Sequence, residues 1–272
     1  MIKYLSGANL VDYISERQAK QVRALVQSKG IKPKLAIIST NPQDLPSQKY
    51  IKYKQIRAAE LGIEAEIHSI NEESAGELIQ SLAEDSSVHG IIIQLPLLDT
   101  SNTDSLISLI PPQKDVDGMT RNSLVEPATA QAILWLLTGY GIDLIGKNIL
   151  VIGKGRLVGE PLIKILENQD LKPKTLDETN TSEELQSAIK EVDIIISATG
   201  QPGLIKPEML RDKQVIIDAG TSEDGGELKG DLSPEVYTSE LNIRVTPTTG
   251  GLGPLTIRGL FENLLQLIDK ST

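Results

Sequence analysis

A strand, a glycine-rich turn and a helix follow one another from Asn148-Ile149-Leu150-Val151-Ile152 through Gly153-Lys154-Gly155-Arg156-Leu157-Val158-Gly159. The first five residues are mostly apolar, as in a buried strand, and the residues after Gly159 predict a helix that ends near Asn168. A buried strand that passes directly into a glycine-rich turn and a helix is the repeating unit of α/β folds. This unit predicts an α/β protein.

The turn has the composition of a phosphate-binding loop. Its glycines would let the backbone approach a pyrophosphate, and the amides and dipole at a helix amino terminus favour negative charge. The spacing of Gly153, Gly155 and Gly159 places the third glycine one residue later than in the usual G-x-G-x-x-G pattern. The turn alone therefore leaves two alternatives open, a dinucleotide site or a tight turn in which glycines only permit the backbone geometry.

Strand-like and helix-like segments alternate on both sides of this unit, which predicts helices packed on mainly parallel sheets. A first series has strands at Lys34–Ser39, Glu64–Ile70 and Gly90–Gln94, with helices at Leu10–Ser28, Ser47–Leu61 and Ala75–Ala83. A second series has strands at Asn148–Ile152, Asp193–Ala198, Gln214–Asp218 and Arg244–Thr246. Thr120–Glu126 and a helix at Ala128–Leu137 join the two series, and Pro254–Ile268 is predicted as a last helix.

The composition is that of a globular protein. With 272 residues, of which 39% are hydrophobic and 24% charged, the chain is long enough for two domains. A formal net charge of -10 argues against nucleic acid as a ligand. The longest apolar stretches, such as Ile91 to Leu98, are shorter than a membrane span, so we expect no membrane or signal segment and a cytoplasmic protein.

Metal and thiol chemistry have little support in the sequence. The chain has no cysteine, which excludes disulfides, thiolate ligands and a cysteine nucleophile. His68 and His89 are its only histidines, and a lone histidine beside a strand is more often structural than a ligand. We expect no metal site.

Four short segments that lie far apart in the chain together indicate a family. They are Ser47-Gln48-Lys49-Tyr50-Ile51-Lys52-Tyr53-Lys54, Gln94-Leu95-Pro96-Leu97, Lys114-Asp115-Val116-Asp117-Gly118 and Gly250-Gly251-Leu252-Gly253-Pro254-Leu255-Thr256. Their order and spacing closely resemble the bifunctional methylenetetrahydrofolate dehydrogenase/cyclohydrolase family, over nearly the full chain. The resemblance implies an enzyme of one-carbon metabolism that binds tetrahydrofolate derivatives and a nicotinamide nucleotide.

The resemblance also implies an architecture. Two α/β domains would lie around a cleft, the second of them a Rossmann-like dinucleotide-binding domain. We expect residues 1–120 with 254–272 to form the folate-binding catalytic domain, and residues 121–253 to form the NAD(P)-binding domain. The family further suggests a homodimer.

Tyr50 and Lys54 are four residues apart in a predicted helix, so both would project from one helical face. A lysine whose proton affinity is lowered by burial or by nearby positive charge can exchange a proton or orient water near neutral pH. Composition alone favours a solvated lysine beside a packing tyrosine. The resemblance implies instead that Lys54 is the central catalytic lysine and Tyr50 its aromatic companion.

The resemblance assigns further roles on the folate side. Gln94 would hydrogen-bond the lysine and help to set its protonation, although a glutamine at a strand end can also simply satisfy loop backbone. Asp117 would accept hydrogen bonds from the amino-pyrimidine edge of a pterin, and Asp115 has a weaker match to such a role; both could otherwise cap turns. Gly251 and Pro254 would border the folate in a helix-entry loop.

The cofactor side is predicted from the glycine-rich turn and from two further segments that are similar to family segments at strand ends, Ser197-Ala198-Thr199-Gly200-Gln201-Pro202 and Asp218-Ala219-Gly220. The residues that match family segments beside the nucleotide are Gly153, Lys154, Gly155, Arg156, Gly159, Thr199 and Gly200. The signals for cofactor choice conflict, because Lys154 favours the 2′-phosphate of NADP, whereas Asp177 lies where an acceptor for the NAD ribose is expected. We expect NADP ahead of NAD.

The chain departs from the family pattern mainly on this cofactor side. Pro127-Ala128-Thr129-Ala130 stands for the common Pro-Cys-Thr-Pro, Gly153-Lys154-Gly155 for Gly-Arg-Ser, and Pro247-Thr248-Thr249-Gly250-Gly251 for Pro-Val-Pro-Gly-Gly. The predicted function is oxidation of 5,10-methylenetetrahydrofolate with NAD(P), followed by hydrolysis of 5,10-methenyltetrahydrofolate to 10-formyltetrahydrofolate. A cyclohydrolase alone, a non-catalytic folate- or nucleotide-binding homologue, and a dehydrogenase for another small substrate remain alternatives.

Overall fold

A computed structural model describes residues 1–220, 222–224 and 227–271. Strands and helices alternate along the chain, in agreement with the predicted α/β class. In chain order they are β1 (Lys3–Tyr4), α1 (Val11–Lys29), β2 (Lys34–Ser39), α2 (Leu45–Leu61), β3 (Glu64–Ser69), α3 (Ala75–Glu84), β4 (Gly90–Ile93), α4 (Thr103–Ser108), α5 (Ala128–Gly139), β5 (Ile149–Ile152), α6 (Gly159–Asn168), β6 (Lys174–Leu176), α7 (Ser182–Glu191), β7 (Ile194–Ser197), β8 (Val215–Asp218), β9 (Ser222–Asp224), β10 (Glu227–Lys229), β11 (Arg244–Val245) and α8 (Gly253–Ser271).

The chain divides into two compact units. The first unit consists of Asp12–Ala128 and Ile257–Thr272, and the second consists of Met1–Val11 and Thr129–Thr256. Each unit has its own parallel sheet. No helix in the described part of the chain combines the length and the apolar character needed to cross a bilayer.

The sheet of the first unit has three parallel strands in the order β3-β2-β4. Alternate residues of β2 belong to two different apolar clusters, with Leu35 and Ile37 in one and Ala36 and Ile38 in the other. Both faces of the strand are therefore covered, which explains why its sequence is a continuous apolar run and does not alternate with polar residues. Phe261 of α8 is fully buried in the first of these clusters.

The sheet of the second unit has six strands in the order β1-β11-β8-β7-β5-β6, and every adjacent pair is parallel. All residues of β5 and β7 are buried, as expected for strands in the middle of a parallel sheet. The short strands β9 and β10 form a separate antiparallel pair. The carboxyl ends of parallel strands point to one edge of the sheet, where α/β proteins bind their ligands.

The division between the units differs from the predicted domains at the amino terminus. Residues 1–11 were expected with the folate-binding domain, 1–120, but they lie in the second unit because β1 pairs with β11. The amide of Lys3 donates to Ile243 O, and that of Leu5 to Val245 O, both at 2.8 Å. A two-residue strand has too few residues to show a periodic pattern, so the sequence could not predict it.

At the other two boundaries the division falls inside helices, and residues 121–128, which were expected with the NAD(P)-binding domain, lie in the first unit. Ala128 of α5 belongs to the first unit, and the remaining residues of that helix to the second. Within α8, the change from the second unit to the first comes after Thr256, close to the predicted 254. Thr221, Gly225, Gly226 and Thr272 of the predicted domains lie outside the described residues.

Candidate active site

Helix α2 places a lysine among its core-facing residues. Asp44 caps the helix by accepting a hydrogen bond from Ser47 N at 2.9 Å, and Gly62, with a φ of +81°, ends it. The buried residues of α2 recur three or four positions apart, which is the spacing of one helical face. They are Ser47, Ile51, Lys54, Ala58 and Leu61. Lys54 therefore points toward the core. The predicted catalytic role requires this orientation, whereas a solvated lysine would point away from the core.

The ammonium group of Lys54 has one hydrogen-bond partner among the described residues. The residue is only 8% exposed, and Nζ donates to Gln94 Oε1 at 3.0 Å. Burial lowers the pKa of Lys54, because it penalises the charged form, and the charge of Asp117 opposes this shift in part. A lysine with a lowered pKa can both accept and return a proton closer to neutral pH.

Gln94 is held so that its oxygen faces the lysine. It follows β4 directly, its backbone N donates to Ile38 O at 2.8 Å, and its side-chain Nε2 donates to Leu95 O at 2.8 Å. The same carbonyl accepts a hydrogen bond from Ser47 Oγ at 3.1 Å. Because the amide nitrogen is used in this way, the oxygen is the atom that remains for Lys54. The pairing predicted for Gln94 and Lys54 is present in this geometry.

Asp115 and Asp117 have different environments although they are two residues apart. Asp115 is fully buried, and its carboxylate accepts hydrogen bonds from Gly118 N, Met119 N, Thr120 N and Thr120 Oγ1 at 2.7 to 3.2 Å. Four donors leave it no capacity for a ligand. Asp115 therefore holds the turn that carries Asp117.

Gly118 is required by the same turn. Its φ is +73°, and a Cβ atom there would lie 2.7 Å from Pro127 N. A side chain at this position would be strained both by its own backbone and by this close approach. The Asp-Gly pair in the motif is thus needed to bring Asp117 into position.

Asp117 itself is half-buried, and none of the described residues donates a hydrogen bond to its carboxylate. Burial raises its pKa to about 6, while Lys54 lowers it and Asp115 raises it further. The carboxylate is therefore ionised above about pH 6 and can accept hydrogen bonds from a ligand. Lys54, Gln94 and Asp117 together form what we call the lysine cluster, which lies within the first unit.

Tyr50 lies one helical turn before Lys54 on α2 and is half-buried. Burial raises the pKa of its phenol, and Tyr53 adds to the shift, so the group stays neutral at physiological pH. A neutral aromatic ring at this position can pack against a flat ligand.

In the second unit, two glycines of the glycine-rich turn are required by packing. Gly153 has a φ of +92°, and a Cβ atom there would lie 2.5 Å from Ala198 O. A Cβ atom on Gly159 would collide with the carbonyl oxygen of Gly153. Gly155 differs, because a Cβ atom there would meet no atom within 4 Å. The open space at Gly155 is where a ligand could approach the backbone, whereas Gly153 and Gly159 let the turn fold.

The two residues that give conflicting signals for cofactor choice form an ion pair. Lys154 Nζ lies 2.9 Å from Asp177 Oδ2. Asp177 follows β6, and its other oxygen accepts hydrogen bonds from Thr179 Oγ1 at 2.6 Å and Thr179 N at 3.1 Å. The hydrogen bonds from Thr179 and from Lys154 lower the pKa of Asp177 to about 2. Arg156 lies in the same turn, two residues after Lys154, and is partly buried.

Thr199 and Gly200 follow the end of β7 and are organised by a residue that the sequence did not indicate. The buried Asp231 accepts hydrogen bonds through one oxygen from Ser197 Oγ at 2.6 Å and from Thr199 N at 2.8 Å. A carboxylate with two such donors holds the strand end in one conformation. A glycine precedes Asp231 in the sequence, but glycine–aspartate pairs are common in ordinary turns and do not indicate such a role.

Asp218, at the end of β8, ties this segment to the sheet. It accepts hydrogen bonds from Gly220 N, Asp231 N and Leu232 N at 3.0 to 3.1 Å. Burial raises its pKa to about 6. Asp218-Ala219-Gly220, which the sequence predicts as a strand-end segment, thus lies at the end of β8, where Asp218 holds neighbouring backbone in place.

Gly251 and Pro254 belong to the second unit, whereas the lysine cluster belongs to the first. Gly251 O accepts a hydrogen bond from Gly7 N at 3.1 Å, and Gly250 O accepts one from Ala8 N at 3.2 Å. Pro254 lies in the first turn of α8, where a proline loses no helical hydrogen bond. Within the described ranges, no set of three or more His, Cys, Asp or Glu side chains has the arrangement of a metal site.

Both units of the chain are similar to domains of one known family. Residues 5–117 match the catalytic domain of the tetrahydrofolate dehydrogenase/cyclohydrolase family, and residues 127–272 match its NAD(P)-binding domain. The chain belongs to this family. The tetrahydrofolate dehydrogenase/cyclohydrolase fold, with a Rossmann-like NAD(P)-binding domain, is therefore confirmed.

Relatives cover nearly the whole chain. The bifunctional protein FolD of Lactobacillus acidophilus is 35% identical over 280 residues, which cover 98% of this chain and 97% of the relative. FolD of Staphylococcus aureus is 34% identical and covers 97% of this chain and 95% of its own length.

Solved structures of family members have the same fold. FolD of Campylobacter jejuni superposes with a TM-score of 0.90 at 30% identity, with 100% of both chains covered. The dehydrogenase-cyclohydrolase of Trypanosoma brucei, solved with NADP cofactor and an inhibitor, has a TM-score of 0.89 at 28% identity, with 99% and 98% covered.

Proposed function

We propose that the protein oxidises 5,10-methylenetetrahydrofolate to 5,10-methenyltetrahydrofolate with NAD(P), and hydrolyses the product to 10-formyltetrahydrofolate. One observation carries the proposal. A lysine with a lowered pKa is buried on the core face of α2, hydrogen-bonded to Gln94 Oε1 and attracted by Asp117. A buried lysine with so few partners costs stability, which is understandable if the group has a chemical task.

Lys54 would act in the hydrolytic step. Water adds to the methenyl carbon, and Nζ accepts the proton that the water loses. When the bond between that carbon and N5 of the pterin breaks, Nζ returns the proton to N5. The hydroxyl that came from the water releases its remaining proton to solvent as the C=O bond forms, and the formyl group stays on N10. Gln94 Oε1 can accept from either the neutral or the charged amine, so it would hold Nζ in place throughout the proton exchange.

Asp117 and Tyr50 would hold the folate. An ionised Asp117 can accept hydrogen bonds from the amino-pyrimidine edge of the pterin, and it has no competing donor among the described residues. Tyr50 would pack against the flat part of the substrate one helical turn from the lysine. Gly251, in the loop before α8, and Pro254, in the first turn of that helix, would contact the folate through the backbone and the proline ring.

The residues of the glycine-rich turn fit a dinucleotide. Gly153 and Gly159 fold the turn, Gly155 leaves open space beside the backbone, and Lys154 and Arg156 supply positive charge. Thr199 and Gly200 lie at a neighbouring strand end. When bound, the nicotinamide supplies the acceptor for the hydride of the methylene group.

We propose NADP as the preferred nucleotide, with Lys154 beside its 2′-phosphate. The position of Lys154 in the turn supports this choice, and the relative from Trypanosoma brucei was solved with NADP. The family resemblance further supports a homodimer. A cytoplasmic location is part of the proposal as well.

The test is an assay of the purified protein with 5,10-methylenetetrahydrofolate and either NADP or NAD. The absorbances of the reduced nicotinamide and of the methenyl compound are followed separately. We expect both the oxidation and an accelerated loss of added methenyl compound. Hydrolysis without oxidation would show that the protein is only a cyclohydrolase. No activity in either assay would refute the proposal and favour a non-catalytic binding homologue.

A further inference from the structure

The ion pair between Lys154 and Asp177 bears directly on cofactor selection. It joins the glycine-rich turn after β5 to the residue after β6, with 2.9 Å between Nζ and Oδ2. The carboxylate is fixed from its other side, because Thr179 donates twice to Oδ1. Lys154 is therefore held against a negative charge at the place where it would meet a 2′-phosphate.

The chemistry of the two cofactors makes this arrangement informative. A 2′-phosphate carries negative charge and favours a free cation, whereas a 2′-hydroxyl favours an acidic acceptor. This chain has both a cation that suits the 2′-phosphate of NADP, Lys154, and an acceptor that suits the 2′-hydroxyl of NAD, Asp177. The two groups form an ion pair with each other.

The geometry points to Asp177 as a specificity-determining residue that keeps the advantage of NADP over NAD small, an inference that rests on the nucleotide binding proposed above. Asp177 acts in three ways. It competes with the 2′-phosphate for Lys154, and its charge repels that phosphate. It also offers an acceptor to the ribose hydroxyl of NAD.

The substitution Asp177→Asn removes the negative charge of the residue but keeps its shape and a hydrogen-bond acceptor. Asparagine keeps an Oδ1 that can accept the hydrogen bonds of Thr179, so the turn after β6 is retained. It removes the negative charge, which frees Lys154 and abolishes the repulsion. Glu178→Gln is the matched control, because it removes one negative charge from the exposed neighbouring residue.

The experiment measures binding with ligands that lack the nicotinamide. The dissociation constants of ADP-ribose and 2′-phospho-ADP-ribose are determined by calorimetry for the full-length wild type, Asp177→Asn, Lys154→Gln, the double variant and the control. In Asp177→Asn we expect the preference for the 2′-phosphate to rise by about tenfold, since a like charge has been removed. Glu178→Gln should leave the preference within about twofold of the wild type, because an exposed charge is screened.

The double variant tests whether Lys154 acts through Asp177. In the wild-type background, where the lysine is already paired with Asp177, Lys154→Gln should reduce the preference for the 2′-phosphate only slightly. In the Asp177→Asn background, Lys154→Gln should remove the whole increase in that preference. An unchanged or lower preference in Asp177→Asn would overturn the inference. An equal effect of Lys154→Gln in both backgrounds would overturn it as well.

Failure of the inference can be distinguished from failure of the proposed function. If the preference shifts as expected while the wild type oxidises no methylenetetrahydrofolate, the inference stands and the proposed dehydrogenase fails. If the wild type oxidises the substrate but the preference does not shift, only the inference fails. If neither ADP-ribose nor 2′-phospho-ADP-ribose binds the wild type, the inference is overturned and the support for a nucleotide site is removed.

Discussion

Replacement of Lys54 by methionine removes the amine but keeps most of the length of the side chain. In the wild type the buried Nζ makes its hydrogen bond to Gln94 Oε1 and attracts Asp117. Methionine fills similar space and cannot exchange a proton. The variant therefore tests the proposed chemistry with little change in packing.

The expected loss of activity follows from the role of the amine. A positioned group that exchanges a proton in the transition state contributes about 10²- to 10⁴-fold, so hydrolysis of the methenyl compound should fall by about 10³-fold. The effect on stability should be small. Leaving Gln94 Oε1 without its donor costs about 1 kcal/mol, and the release of a charge from a buried position offsets this cost.

A second expected effect concerns Asp117. Burial raises the pKa of that carboxyl to about 6, although the charge of Lys54 lowers it in part. Without the lysine the pKa should rise further. Binding of a tetrahydrofolate ligand, which needs the ionised carboxylate, should then weaken at a higher pH than in the wild type.

The assay compares three proteins. Loss of methenyl absorbance, thermal unfolding and the pH dependence of ligand binding are measured for the wild type, Lys54→Met and Lys52→Met. Lys52 is exposed on the same helix, so its substitution controls for the loss of one positive charge. A Lys54→Met variant that is folded and hydrolyses at the wild-type rate would refute the reasoning, as would a tenfold loss in Lys52→Met.

Three further results are expected. Gln94→Glu places a carboxylate beside Lys54 and should raise the pKa of the lysine, so the pH profile of hydrolysis should move to higher pH; an unmoved profile speaks against their pairing. Because the pKa of Asp117 is raised to about 6, affinity for a tetrahydrofolate ligand should fall as the pH drops below about 6, and Asp117→Asn should abolish this dependence in a calorimetric titration. Gly153→Ala should destabilise the protein by about 2 kcal/mol in chemical unfolding, since its φ is +92°. Gly155→Ala, which meets open space, should leave stability nearly unchanged, and equal losses in both would contradict the account of the turn.

Elements with a clear local pattern were predictable. The predicted bounds of β2 agree with the structure, and the predicted start of α3 at Ala75 is also the observed one. These segments are long and apolar, or periodic, so their own residues decide their conformation. By contrast, β1 forms only through hydrogen bonds to residues 243–245, more than two hundred positions away, and its two residues carry no pattern.

The candidate site was predictable to a similar degree. The motifs indicated Lys54, Gln94 and Asp117 together, and in the structure Lys54 contacts Gln94 and interacts electrostatically with Asp117. The roles of Asp115 and Asp231 were not predictable, because an aspartate in a turn looks the same in the sequence whether it binds a ligand or holds the turn. Only the count of donors around each carboxylate separates the two cases.

The sequence by itself determined the α/β class, the family and the residue types available for folate and nucleotide chemistry, since periodicity and motif spacing are written in the order of residues. The tertiary structure alone decided that Lys54 is buried against Gln94 and that Lys154 is paired with Asp177. Proton affinity and charge pairing depend on desolvation and on distances of a few ångströms between segments remote in sequence. Those quantities exist only once the chain has folded.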